Sequence, residues 1–311
     1  MSNVREVGVR VIQKHGLLKP DDRLAALLVA DVILTFSIIL VVVWLAPVWL
    51  AIPLGWLLAI RFFNCAAQIS HVCGHHSFLT KRHSNDRVGT MMSAAMGYKF
   101  VGHNEVHDNH HRYLNTPKDG DVLWGRPEQT RTEFLRDLAL DLIGYQAFKR
   151  FLQYGSEKPR RAEKESSWQR LSPWILIALV QVSILAMFSI VGGPWAYLVF
   201  YVLPICTLYP AQARIRSLAE HHIEPGTTLY PLPWLTRNTE AGFIEQQVIG
   251  PFYQNYHLEH HLFPKVPGYF LKRLHHLIAA EVTFERQTTN SSYLGFMIKF
   301  LLGPKTSLQV A

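Results

Sequence analysis

Two long stretches without a charged side chain constrain this sequence more than any other feature. Residues 32–60 and 171–213 contain no Asp, Glu, Lys or Arg in a chain of 311 residues. Each stretch exceeds the roughly 20 residues that a helix needs to cross a bilayer. A helix in a soluble core would carry a polar residue at every third or fourth position. The pattern therefore predicts an all-α integral membrane protein.

Turn-forming residues lie near the middle of each apolar block. Pro47, Pro53 and Gly55 interrupt the first block, residues 24–63, and the sequence VGGP at 191–194 interrupts the second block, residues 168–213. Proline and glycine favour turns or kinks at such positions. The sequence predicts two transmembrane helical hairpins, about four spans, within a single domain covering residues 1–311. Residues 1–22 form its N-terminal segment, and residues 64–167 and 214–311 form a helical cap.

Basic residues gather at the open ends of both hairpins, which predicts how the protein is oriented. Because such residues stay on the cytoplasmic side, we expect both termini and the cap there. These flanks explain the net charge of +8, so no nucleic-acid partner is expected. Residues 88–101 are apolar but too short to span, and we expect them in the interface or beneath the bilayer. Residues 134–154 have the pattern of an amphipathic helix resting on the membrane.

Most of the sixteen histidines occur in groups, and two groups share one spacing. HDNHH at 107–111 and HLEHH at 257–261 both read His-x-x-His-His, while HVCGHH at 71–76 and AEHH at 219–222 add further imidazoles. Helical residues three and four apart share a face, so each group directs its rings into one volume. Eight or nine nitrogens are too many for one transition-metal ion and suit two. Imidazole alone leaves zinc, copper, iron and nickel open.

HVCGH, HDNHH and HLEHH, in this order, resemble the three histidine boxes of the membrane fatty acid desaturase and hydroxylase superfamily, HxxxH, HxxHH and HxxHH. HHRYLNTPKDGD and NYHLEHHLFPKVP are also similar to that family, and the similarity covers roughly residues 24–276. The resemblance implies a non-haem di-iron centre with two iron ions and dioxygen as co-substrate. It implies these ligands: His71, His75, His107, His110, His111, His221, His257, His260 and His261.

Several residues near the boxes fall outside the family pattern. Whether His76, His103 or His222 also ligates metal stays open at this point. Nearby carboxylates either accept hydrogen bonds from ligand N–H groups and so fix the ring tautomers, or are solvated charges: Glu105, Asp108, Asp119, Asp121, Glu220 and Glu259. Four histidines have no box around them and receive no role: His15, His83, His275 and His276.

The resemblance implies oxidation of a lipid or fatty acyl chain, and a desaturase that introduces a double bond is the leading hypothesis. A hydroxylase, ketolase or other monooxygenase on the same di-iron core is the first alternative. Electrons are expected from a separate donor, a ferredoxin, rubredoxin or cytochrome b5-like protein with its reductase. The sequence contains no flavin or nicotinamide fingerprint and too few cysteines for an iron–sulfur cluster. The basic segment 158–164 is a candidate contact for an acidic donor.

Other classes of protein fit the sequence less well. A metal transporter needs ligands near the bilayer midplane, where the apolar blocks offer only Asp31 and Gln181. A zinc hydrolase or zinc-dependent hydroxylase on the same scaffold would be distinguished by metal analysis. A scaffold that has lost activity would be distinguished by replacing His110 and His260 with alanine.

Overall fold

The computed structural model describes residues 2–114, 116, 118–119, 129–156, 166–222, 235–284 and 289–303. Within these ranges the chain is almost entirely helical, as predicted. The helices are α1 Ser2–His15, α2 Asp22–Leu45, α3 Val48–Gly74, α4 Arg82–Ala95, α5 Phe100–Tyr113, α6 Arg131–Leu142, α7 Tyr145–Ser156, α8 Ser167–Gly192, α9 Pro194–Tyr197, α10 Leu203–Cys206, α11 Leu208–His221, α12 Phe243–Val248, α13 His257–Leu262, α14 Leu271–Ala279 and α15 Tyr293–Leu302. Two short strands, β1 Asn238–Thr239 and β2 Thr289–Asn290, pair in parallel.

Four helical segments are long and apolar enough to cross a membrane. They are α2, α3, α8 and the segment Pro194–His221, which joins α9, a π-helical turn at Leu198–Val202, α10 and α11. Their lengths of 24 to 28 residues correspond to about 36–42 Å at 1.5 Å per residue, which exceeds the hydrocarbon thickness of a bilayer. The predicted four spans are confirmed, and the chain is a membrane protein.

Each hairpin turns where the sequence places a helix-breaking residue. Pro47 has an extended backbone immediately before α3, and Pro53 is accommodated inside that helix. Gly193 separates α8 from α9 with a φ of 78°, a left-handed conformation that glycine adopts without steric cost. Short turns at both places leave the two helices of each hairpin side by side.

Aromatic side chains from all four spans pack together in the centre of the bundle. The ring of Phe36 lies 5.3 Å from that of Phe62 and 5.8 Å from that of Phe188, centroid to centroid, and Tyr201 completes the cluster. Gly55 allows a close approach of the fourth span, because a Cβ at this position would lie 2.6 Å from the ring of Phe200. Lipid tails are as apolar as these side chains, so close packing is what holds the spans together.

Helix α4 packs against the spans, which refines the expectation for residues 88–101. The carbonyls of Ala94 and Ala95 accept hydrogen bonds from Gln181 Nε2 of α8 at 2.9 and 3.0 Å, and Tyr197 donates to Gln181 Oε1 at 2.8 Å. Carbonyls at a helix end need partners where water is excluded. Gln181, the polar residue noted in the second apolar block, therefore closes the end of α4.

The segment predicted as one amphipathic helix, residues 134–154, is two helices, α6 and α7. Gly144 separates them with a φ of 78°. Helix α6 is held to α11 by a buried ion pair between Asp141 and Arg214. At the other side of the cap, valines of α1 pack against leucines of α14.

Both helices that lead from the membrane into the cap run past the predicted ends of the hairpins. Helix α3 continues to Gly74 and the fourth span continues to His221, so the first histidine box and His221 lie at the ends of spanning helices. Asn64 supports the extension of α3, because its Nδ2 donates to the carbonyl of Val248 at 2.8 Å. Arg61 of α3 pairs with Asp31 of α2 at 2.6 Å.

Candidate metal centre

Nine histidine rings converge at the junction of the spans and the cap, and they form two groups. The five-histidine group is His71, His75, His107, His111 and His260, and the four-histidine group is His110, His221, His257 and His261. Within each group, one nitrogen from every ring lies within 4.8 Å of the others. The nine members are the nine ligands that the family resemblance implies.

Helical periodicity explains how the boxes divide between the groups. In α5, His107 and His111 join the five-histidine group, whereas His110 joins the four-histidine group. In α13 the division is reversed: His257 and His261 belong to the four-histidine group, and His260 belongs to the five-histidine group. Residues i and i+4 lie almost above one another on a helix, and i+3 is displaced to the other side of that row. Each His-x-x-His-His box therefore supplies a pair to one group and a single ring to the other.

Distances between the ring nitrogens test whether these groups fit metal ions. In the five-histidine group, His260 Nε2 lies 2.8 Å from His71 Nε2 and 3.0 Å from His111 Nε2. In the four-histidine group, His257 Nε2 lies 2.9 Å from His221 Nε2 and 3.1 Å from His261 Nε2. Two nitrogens bound at about 2.1 Å and at right angles to one ion would be about 3 Å apart. The nitrogen sets fit one transition-metal ion per group.

Burial keeps the rings in the form that binds metal. Removal from water lowers the pKa of His107, His257 and His260 well below the ordinary value, and the positive charge that neighbouring imidazoles would carry lowers it further. The same causes lower the pKa of His75 and His261. Neutral imidazole, with a free lone pair, is the form that ligates metal.

Asp119 orients one ring of the four-histidine group. His110 Nδ1 lies 2.9 and 3.0 Å from the two oxygens of the Asp119 carboxylate, and both residues are buried. Donation from Nδ1 to this carboxylate fixes the tautomer in which Nε2 is free for a metal ion. Asp119 is therefore positioned to accept a ring N–H hydrogen bond, one of the two roles that the sequence leaves open for the nearby carboxylates.

Glu220 faces a second ring of the same group and accepts hydrogen bonds from two other side chains. Its Oε2 lies 3.5 Å from His257 Nδ1, and its Oε1 accepts hydrogen bonds from Arg216 Nε and the Tyr293 hydroxyl, both at 2.8 Å. All three partners are buried along with Glu220. The Arg216 guanidinium compensates the buried carboxylate charge, which would otherwise be costly.

Glu259 lies within the third box but turns away from both groups. Its Oε1 lies 2.5 Å from His275 Nδ1 on α14. Sequence reasoning gave His275 no role, and the structure shows that it connects α13 to α14. The apolar spacing of LKRLHHLIA in the sequence could have indicated a packed helix at this position. The structure buries Leu271, Leu274 and Ile278 of this helix, and His275 lies on the same helix.

Three histidines that the sequence left open lie outside both groups. His76 adopts a left-handed backbone with a φ of 52°, and its Nδ1 lies 3.6 Å from Asp86. His103 stacks on His107 with ring centroids 6.4 Å apart. His222 packs against Phe300, with centroids 5.2 Å apart.

The remaining sequence candidates are more peripheral. Asp108 is exposed and Glu105 is half-buried on α5. Asp121 and the basic segment 158–164 lie outside the described residues.

Comparison with known proteins agrees with this geometry. Residues 47–293 match the family model described as fatty acid desaturase. A fatty acid conjugase of Calendula officinalis is 25% identical over 84% of this chain and 78% of its own length. An endoplasmic reticulum omega-3 fatty acid desaturase of Nicotiana tabacum is 25% identical over 84% of this chain and 73% of its own.

A cyanobacterial relative extends the comparison beyond plants. An sn-1 oleoyl-lipid 12-desaturase of Synechocystis is 24% identical over 73% of this chain and 68% of its own length. The region that matches the family model, residues 47–293, contains three of the four spans, all but α2, and the nine clustered histidines. The chain therefore belongs to the fatty acid desaturase family and is an oxidoreductase of lipid metabolism.

Proposed function

We propose that this protein is an oxygen-dependent di-iron oxidoreductase that introduces a double bond into a fatty acyl chain. The observation that carries the proposal is the convergence of nine imidazoles, from three boxes and the end of α11, into two metal-sized groups at the membrane boundary. The proposed ligands are the members of the five-histidine and four-histidine groups. Two iron ions held there would supply the oxidation of an unactivated C–H bond by dioxygen.

The residues of this chain hold and shield such a centre. His71 and His221 lie at the ends of spanning helices, so the site is within reach of an acyl chain that partitions into the bilayer. Asp119 orients His110 through its Nδ1 atom, and the Glu220 carboxylate places negative charge 3.5 Å from His257 Nδ1. Exclusion of water from the buried rings protects the reaction from competing chemistry.

The relatives support a dehydrogenation of an acyl chain, since those compared are desaturases and a conjugase by name. The basic flanks of the spans support a cap on the cytoplasmic side, with both termini there. On this orientation a soluble or membrane-bound ferredoxin, rubredoxin or cytochrome b5-like protein delivers the electrons.

Expression in a host of known lipid composition tests the proposal. We expect a new double bond in the acyl profile by mass spectrometry, formed only with dioxygen, and about two iron ions per purified chain. Variants His110→Ala and His260→Ala serve as inactive controls that still insert into the membrane. Zinc without iron would refute the di-iron centre, and a hydroxyl or keto product in place of the double bond would refute desaturation.

A further inference from the structure

Helices α12 and α15 present a group of large apolar side chains to the outside of the protein. These side chains, which we call the α12–α15 surface, are 51% to 80% exposed: Phe243, Ile244, Leu294, Ile298 and Leu302. A contiguous patch of large apolar side chains on a protein surface marks a site of interaction with another molecule or a membrane. The question is what covers this surface.

The exposed face of α15 is distinct from the face that packs against the protein. Tyr293 is fully buried, and Phe296 and Phe300 turn inward to contact His222. Leu294 and Ile298 point the other way. Because α15 is apolar on both faces, it has the composition of a helix that lies between protein and a second apolar phase.

Hydrogen bonds fix the position of this surface relative to the spans. Arg61 Nε of α3 donates to Gln247 Oε1 of α12 at 3.1 Å, and Asn64 Nδ2 donates to the Val248 carbonyl at 2.8 Å. The backbone N–H of Leu294 in turn donates to Glu245 Oε1 at 2.9 Å. Hydrogen bonds therefore connect α3 to α12 and α12 to α15.

The position of Arg61 along α3 indicates how deep α12 lies in the bilayer. Arg61 follows Val48 by thirteen residues in one helix, which is about 20 Å at 1.5 Å per residue. Val48 stands at the hairpin turn, on the far side of a hydrocarbon layer about 30 Å thick. Arg61 and the attached α12 thus lie about 10 Å inside the cap-side boundary of that layer, within the cap-side leaflet, where Phe243 and Ile244 can contact acyl chains.

Charge on α15 agrees with this depth. The helix carries one cation, Lys299 in its last turn, and this side chain is exposed. A lysine at this position can extend its stem along apolar surface and place its ammonium among lipid head groups. At the end of the helix, Arg131 of α6 donates to the carbonyl of Gly303, which holds the end of α15 against the cap.

We propose that the α12–α15 surface is immersed in the cap-side leaflet of the membrane and that lipid covers it. The proposal goes beyond the enzymatic function and does not depend on it. One consequence concerns the metal centre. Tyr293 of α15 holds Glu220, and Glu220 faces His257, so the helix that rests in lipid also braces the four-histidine group.

Site-directed spin labelling in lipid nanodiscs tests the proposal. In a Cys206→Ala background, where the remaining Cys65 and Cys73 are buried, a nitroxide is attached at Ile298→Cys. The matched control is Val9→Cys, also an exposed apolar residue, on α1. We expect oxygen, which partitions into the bilayer, to relax the label at 298 several-fold more effectively than a water-soluble nickel chelate. The label at position 9 should show the reverse preference.

Two results would overturn the proposal. Equal access of the nickel chelate to positions 298 and 9 would show that the surface faces water. Protection of position 298 from both reagents would show that protein, such as a second copy of the chain, covers it. A second label at Leu302→Cys guards against a local distortion at 298. The readout requires no catalysis, so failure of this proposal and failure of the proposed function are distinguishable.

Discussion

The two histidine groups differ in what holds their rings in place. In the four-histidine group every ring is buried, and buried carboxylates face two of the Nδ1 atoms, Asp119 at His110 and Glu220 at His257. In the five-histidine group His71 and His111 are half-buried, and the rings pack closely on one another, with the centroids of His71 and His107 4.1 Å apart.

This difference indicates two ways of building a site from the same ligand. The four-histidine group gains a fixed tautomer and nearby negative charge from its carboxylates, which favours retention of a cation. The five-histidine group has one additional imidazole, and its rings come from the end of α3, from α5 and from α13. We expect the two groups to respond differently to substitutions around them.

The largest effect is expected from neighbouring residues of α13 that serve different groups. His260→Ala and His261→Ala should each reduce oxidation by more than about 100-fold. Removing a metal ligand should lower activity more than the roughly 10- to 100-fold expected when a residue that hydrogen-bonds to a ligand is removed. Each variant should retain about one iron ion per chain, as one donor set stays complete. Metal analysis of purified protein provides the measurement. Loss of both ions from each single variant would show that the groups do not bind independently.

Removal of the Asp119 carboxylate should affect the four-histidine group alone. Asp119→Asn leaves His110 without a charged acceptor at Nδ1, and we expect activity or metal affinity to fall by about 10- to 100-fold. The matched control is Asp108→Asn, an exposed carboxylate on the same helix as His110, with activity expected to remain at the unmodified level. Equal effects of the two substitutions would argue against a specific role for Asp119.

A smaller effect is expected at the tyrosine that holds Glu220. Tyr293→Phe removes one hydrogen bond while Arg216 still pairs with the carboxylate, so the free energy of unfolding should fall by about 1 kcal/mol. Metal affinity of the four-histidine group should fall a few-fold, as measured by competition with a chelator. Tyr145→Phe, at an exposed tyrosine on α7, should change neither quantity. Unchanged metal affinity in Tyr293→Phe would disprove the bracing role.

The smallest effect on metal binding is expected at the second histidine of the AEHH sequence, His222. His222→Phe keeps an aromatic ring next to Phe300, so both metal ions should be retained and stability should change by less than about 1.5 kcal/mol. The adjacent His221→Phe should lose the ion of the four-histidine group. Metal loss in His222→Phe comparable with that in His221→Phe would mean that the two histidines share the ligand role.

The sequence predicted the architecture because its signals are local. Uncharged apolar blocks, the turn residues Pro47 and Gly193, and the box spacings each act within a few residues of one another. The same locality explains why all nine clustered histidines were identified. Their convergence follows from boxes that sit at the ends of adjacent helices, which the hairpin pattern already implied.

Tertiary features could not be read from the same signals. His110 and His111 are neighbours in sequence but belong to different groups, and this division depends on which helices approach each face of α5. The link between Glu259 and His275 joins elements that only the folded cap brings together. The positive φ angles of Phe252 and Tyr253, 57° and 63°, immediately before the third box, also depend on tertiary packing, because such angles are costly for aromatic residues.

The reciprocal division of the boxes has a consequence for biogenesis. His260 is the last member of the group that begins at His71, and His261 is the last member of the group that begins at His110. Neither donor set is whole until the ribosome has synthesised the third box. The ribosome therefore synthesises both hairpins before either set is complete, and a truncated chain lacking residues after 256 would carry four of the five donors of one group and two of the four donors of the other.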